Sequence, residues 1–86
     1  MNSFNLKVFY CKPCGFEKHA KRLSADLNSQ FSGKLENLEL EPTEKIGSFE
    51  VYLDKELIFS KMRKGHLPHP GEIEQIIMKK IVGTNG

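Results

Sequence analysis

The apolar residues of this chain change their spacing abruptly at a pair of cysteines. Before the pair, Phe4, Leu6, Val8 and Tyr10 fall at every second position, the period of a strand with one buried face. After it, Phe16, Ala20, Leu23, Leu27 and Phe31 are spaced by four, three, four and four, the stripe of an amphipathic helix. Cys11-Lys12-Pro13-Cys14 stands at the junction. A strand feeding a helix calls for a layered α/β or α+β fold. It also sets a thiol beside the positive end of a helix, where the thiolate is favoured. Pro13 suits a first helical turn, where its missing N–H is no loss. The spacing therefore predicts a helix that begins between Lys12 and Cys14 and ends before Ser32-Gly33.

Phe9 adds apolar character to the other face of the first strand, which predicts a central strand covered on both sides. Leu38 and Leu40 alternate with Asn37, Glu39 and Glu41 as a second strand with one wet face. Pro42 to Ser48 reads as a connection. Phe49, Val51 and Leu53 alternate next, and Leu57-Ile58-Phe59 follows a tight turn near Asp54-Lys55, which predicts a hairpin. Ser60 to Pro68 reads as a basic loop carrying Lys61, Arg63, Lys64 and His66. Pro70 is placed to open a second helix, with Glu72 and Glu74 in its first turn. Ile73, Ile76, Ile77, Met78 and Ile81 supply its buried side, and Gly83 is placed to end it. The expected order is β-α-β-β-β-α: one domain over residues 1–86, with a four-stranded mixed sheet and two helices. That arrangement is α/β (α+β) and thioredoxin-like in outline, the context in which a C-x-x-C reads as a redox motif.

Composition narrows the class of function. Eighty-six residues allow one core. A net charge of +2 is too small for a nucleic-acid surface, where a basic stripe is expected. No apolar run approaches the ~20 residues of a membrane helix. The first residues alternate instead of forming the unbroken apolar stretch of a signal peptide, so a cytoplasmic location is expected. Two cysteines are too few for a disulfide framework, and in a reducing compartment the pair points to redox chemistry or to half of a metal site. The metal alternative would recruit His66 and His69 into a Cys2His2 set. That H-x-x-H lies over fifty residues beyond the cysteines, far from zinc-finger spacing, so no metal is expected there.

Two thiols separated by two residues can close a small ring and so store two electrons. Lys12, between the cysteines, and Lys18, one turn beyond, are the cations expected to favour the thiolate. Pro13 stiffens the ring and lowers the entropy cost of closing it. On a continuous helix, Cys14 shares a side with Lys18, Lys21 and Arg22, while Phe16, Ala20, Leu23 and Leu27 point roughly the other way. His19 reads as a surface residue at the border of the first helix, with assistance to a thiol by its charge as the alternative, and His69 reads as a residue near the start of the second helix rather than a catalytic base. Lys61, Arg63 and Lys64 read either as solvated surface or as an anionic docking patch, for instance for glutathione carboxylates.

Four segments together carry a family resemblance. Val8-Phe9-Tyr10-Cys11-Lys12-Pro13-Cys14-Gly15-Phe16, Gly47-Ser48-Phe49-Glu50-Val51, Leu57-Ile58-Phe59-Ser60-Lys61 and Gly65-His66-Leu67-Pro68-His69-Pro70-Gly71-Glu72-Ile73 resemble the selenoprotein W family of thioredoxin-like proteins, the Rdx group. The resemblance implies a thioredoxin-like fold and a thiol or selenol redox centre, often linked to glutathione. By position Cys14 matches the selenocysteine of the selenium-containing members, with cysteine in its place here, and Cys11 matches its partner. Gly47 and Ser48 fall where thioredoxins carry a cis-proline facing the active site. They join Lys61, Arg63 and Lys64 as the expected substrate-binding residues. The reading is a thiol–disulfide oxidoreductase with Cys14 attacking and Cys11 resolving. It needs no metal or organic cofactor and uses glutathione or a protein disulfide as co-substrate. The alternative is a redox-sensitive adaptor that binds a protein partner with little turnover.

Overall fold

The structure, a computed structural model, describes residues 3–82. Strand β1 spans Phe4–Cys11, helix α1 Glu17–Gln30, β2 Leu35–Thr43, β3 Phe49–Leu53 and β4 Glu56–Ser60. A single helical turn, α2, covers Lys61–Lys64, and helix α3 covers Glu72–Val82. The strands lie in the order β2-β1-β3-β4. β2 is parallel to β1, while β3 is antiparallel to both β1 and β4. This is the four-stranded mixed sheet of an α+β, thioredoxin-like domain, with β1 inside as its apolar content requires.

The alternation in β1 sets the core. Phe4, Leu6, Val8 and Tyr10 are all buried on one face, facing Val51 and Phe49 in register from β3. Ala20, Leu23, Leu27 and Phe31 from α1 and Ile73 and Ile77 from α3 complete the same cluster. Full burial of each Leu, Ile, Val or Phe side chain among them contributes about 1.5–3 kcal/mol. Both helices thus serve one face of the sheet. The expectation that β1 is covered on both sides fails. Phe9 lies half-buried on the opposite face, edge-on to Tyr52 at 5.7 Å, with the Lys7 ammonium 5.5 Å above its ring. An aromatic pair and a lysine stem shield that ring without a second helical layer.

Four boundaries also differ from expectation. Helix α1 starts at Glu17, not between Lys12 and Cys14. Gly15 takes φ +78, in the left-handed region, and the Gly15 and Phe16 N–H groups donate to the Lys12 and Cys11 carbonyls at 3.0 and 3.3 Å. Those bonds close a turn around the cysteines that a continuous helix cannot contain. β2 runs on through Pro42 to Thr43, because proline is tolerated on an edge strand. The supposed loop after Ser60 holds α2, stopped by Gly65 at φ +85. Pro70 precedes α3 by two residues instead of opening it, since Gly71 adopts φ +83 between them. Met78 is exposed rather than core, while Gly83 lies outside the described residues. Among the described residues no helix is long and apolar enough to cross a membrane.

Candidate functional site

Cys11 is the last residue of β1, and Cys14 sits in the turn that follows. They are joined in a disulfide with a Cα–Cα separation of 5.3 Å, inside the usual range for a cystine. Their surroundings are unequal. Cys11 is fully buried, and Cys14 is partly exposed. The Cys14 N–H points at the Cys11 sulfur at 3.2 Å. The Gly47 N–H points at the Cys14 sulfur, also at 3.2 Å. Each sulfur of the pair thus faces a backbone donor.

Gly47 and Ser48 are the expected residues that the fold brings into contact with the pair. Gly47 takes φ +84, a conformation that glycine reaches without steric penalty and that turns its N–H toward Cys14. Ser48 is buried, and its carbonyl accepts the Cys11 N–H at 2.9 Å. Its hydroxyl lies 2.9 Å from the Thr43 hydroxyl, which in turn donates to the Tyr10 carbonyl at 3.3 Å. The Thr43 carbonyl accepts the Lys12 N–H at 3.0 Å. Thr43 and Ser48 thus grip the end of β1 from its two sides and hold the start of the cysteine turn. From the sequence, Thr43 falls inside the Pro42 to Ser48 stretch that reads as a connection. No local signal in the sequence marks Thr43, because its contacts with Ser48 and Tyr10 come from strand register.

The charged residues are placed less closely. Lys12 and Pro13 are exposed in the turn itself. Lys18 is exposed in the first turn of α1. Because Cys14 precedes that helix, the helical register expected to align the two does not exist. The Lys61 ammonium lies 5.8 Å above the Phe16 ring, two residues from Cys14. Arg63 and Lys64 are exposed on α2. Phe16 is edge-on to Phe49 at 6.3 Å and to His19 at 6.0 Å. Phe49 and His19 also line a groove of about 480 Å³ between α1 and the 67–71 segment, together with Arg22, Leu67, His69 and Glu74. A cavity of about 560 Å³ lies at the Asp54 turn, beside the end of β1 remote from the cysteines. His66 and His69 group with Glu72 and not with the cysteines, so the Cys2His2 set is not assembled.

Known proteins match this arrangement. The sequence model of the Rdx family covers residues 5–79. The chain is 31% identical over 75 residues to migration and invasion enhancer 1 of Mus musculus, and 32% identical over 72 residues to that of Bos taurus. The matches take in 87% and 84% of this chain but only 63% and 60% of those relatives' length. The crystal structure of a selenoprotein W-related protein from Vibrio cholerae superposes with a TM-score of 0.88 at 25% identity, over 93% of this chain and 99% of that one. A Bordetella parapertussis protein shares the fold at a TM-score of 0.83 and 20% identity, over 88% of this chain and 95% of that one. With its cysteine pair at the end of β1 and the family's match running nearly end to end, the chain belongs to the Rdx family, of the selenoprotein W type.

Proposed function

We propose that the protein is a cytoplasmic thiol–disulfide oxidoreductase working through Cys11 and Cys14, with glutathione or a protein disulfide as co-substrate. The carrying observation is the unequal burial of two bonded sulfurs, each faced by a backbone N–H. In the reduced protein the exposed Cys14 thiolate attacks one sulfur of the substrate disulfide. A mixed disulfide forms, and the substrate's other sulfur leaves as a thiolate and takes up a proton. The Cys11 thiolate then attacks the Cys14 sulfur, closing the ring and releasing the second substrate thiol. Two electrons have passed to the substrate, and two glutathione thiols restore the pair while forming glutathione disulfide. The Gly47 N–H supports this assignment, since it stabilises negative charge on Cys14 in the attacking and leaving states. Lys61, held over Phe16, and the groove beyond Phe49 are where glutathione carboxylates or a polypeptide would lie.

A second reading, a redox-gated binding module, draws on Ile46, which is 69% exposed one residue before Gly47. An apolar side chain in that position suits a protein partner more than a tripeptide. Turnover separates the two. With a glutathione-regenerating system, the oxidoreductase reduces a model disulfide through many cycles per molecule. A protein that consumes one equivalent and stops, while its affinity for a partner changes with its redox state, is the adaptor.

A further inference from the structure

We propose that His66, His69 and Glu72 form a binding site for a d-block divalent cation of the Zn²⁺ or Co²⁺ kind, separate from the cysteine pair. The three residues stand on H-x-x-H-x-x-E, and one ligating atom from each lies within 4.8 Å of the other two. The backbone makes this meeting. Gly65 and Gly71, both with φ beyond +80, bracket the segment and fold it against the start of α3. The His69 N–H donates to Glu72 Oε1 at 3.0 Å, which fixes the carboxylate. His66 Nδ1 lies 2.6 Å from the Leu67 carbonyl. The same Nδ1 lies 3.8 Å from Glu72 Oε1, as does His69 Nδ1, so both rings converge on that oxygen.

The donor set names the class of ion. Two imidazoles and a carboxylate suit zinc, cobalt, nickel or copper, whereas magnesium and calcium favour all-oxygen sites. Three protein ligands leave at least one position for water or another ligand. The two rings are stacked at 4.2 Å with 7° between their planes. An imidazole binds a metal in its own ring plane, so parallel rings cannot both serve one ion. His69 is 70% exposed and His66 35%; His69 is therefore the ring that swings out of the stack on binding. The start of α3 and Arg22 across the groove oppose a cation, while Glu72 and Glu74 offset them. Binding ties the 65–71 segment to α3, so it stabilises the folded chain by mass action.

The test uses the full chain without an affinity tag, oxidised so that both thiols are withheld. Zn²⁺ is titrated by calorimetry and Co²⁺ by visible absorption. One equivalent should bind, the melting temperature should rise with Zn²⁺, and amide shifts should be confined to residues 65–72 and their neighbours. His66→Asn and His69→Asn should each weaken binding at least about tenfold. Glu72→Gln keeps an acceptor for the His69 N–H and should weaken it likewise, with urea denaturation confirming that the variant folds. The absence of saturable binding would overturn the proposal, as would binding unaffected by both histidine substitutions. A thiolate-to-cobalt charge-transfer band appearing only on reduction, with no binding before it, would also overturn it by moving the metal to the cysteines.

Discussion

Cys11 and Cys14 share one disulfide but stand in two differently built regions. The strand end that carries Cys11 is held from both sides, by the Thr43 carbonyl through Lys12 and by the Ser48 carbonyl through Cys11 itself. It is fully buried. In the turn that carries Cys14, the sulfur is met by the Gly47 N–H from the loop before β3, and the side chain stays partly exposed. The difference teaches that two chemically identical thiols are made unequal by access, and the proposed function draws its division of labour from that access rather than from sequence position. A buried sulfur reaches only its neighbour, which suits resolution, while a partly exposed one meets an incoming disulfide.

The strongest way to break that comparison is to remove each thiol in turn. Cys14→Ser should abolish disulfide reduction. Cys11→Ser should retain the first attack and accumulate a mixed disulfide visible by mass spectrometry. In the reduced wild type, alkylation should modify Cys14 at least about tenfold faster than Cys11; equal or reversed rates would exchange the roles. Next in size is a change in the scaffold. Leu27→Ala in the covered face should cost about 2–5 kcal/mol in urea denaturation, yet leave the ratio of the two alkylation rates unchanged.

Gly47→Ala tests the turn. A Cβ there meets no neighbouring atom, but φ is +84, so the expected cost is about 1–2 kcal/mol from backbone conformation alone. If the N–H shifts away from Cys14, the alkylation rate of that thiol falls as well, whereas Cys11 keeps its rate. The smallest effect belongs to the basic residues. Lys61→Ala should slow reduction of glutathione disulfide by about twofold and make it less sensitive to salt, while Arg63→Ala and Lys64→Ala leave it unchanged. Equal effects from all three would mean that α2 acts as a diffuse charge and not through Lys61 over Phe16.

Much of the frame was legible because burial has a period. Phe4 to Tyr10, Ala20 to Phe31 and Phe49 to Leu53 announced their elements, since alternation and the helical stripe record which side chains leave water. The errors gather where one residue's backbone angle overrides that pattern. Gly15 at φ +78 moved the start of α1 past the cysteines, and with it went the expected alignment of Cys14 with Lys18. Gly71 at φ +83 displaced α3 from Pro70. A glycine letter permits such an angle without requiring it. Phe9 misled for another reason: an apolar side chain on an open face can be shielded by Tyr52 and Lys7 as well as by a helix.

By itself the sequence determined the order of the four strands and the two longer helices, the inside position of β1, and the place of the C-x-x-C at its end, because these follow from local periods and short-range spacing. Only the tertiary structure decided that Gly47, 33 residues from Cys14, aims its N–H at that sulfur. It alone decided that Thr43 and Ser48 clamp the strand end, that Cys11 is buried while Cys14 is not, and that two histidines stack beside a glutamate. These contacts depend on the register of paired strands and on the paths of loops between them. Neither is written in any single stretch of residues, since each is the joint outcome of the whole sheet closing over one core.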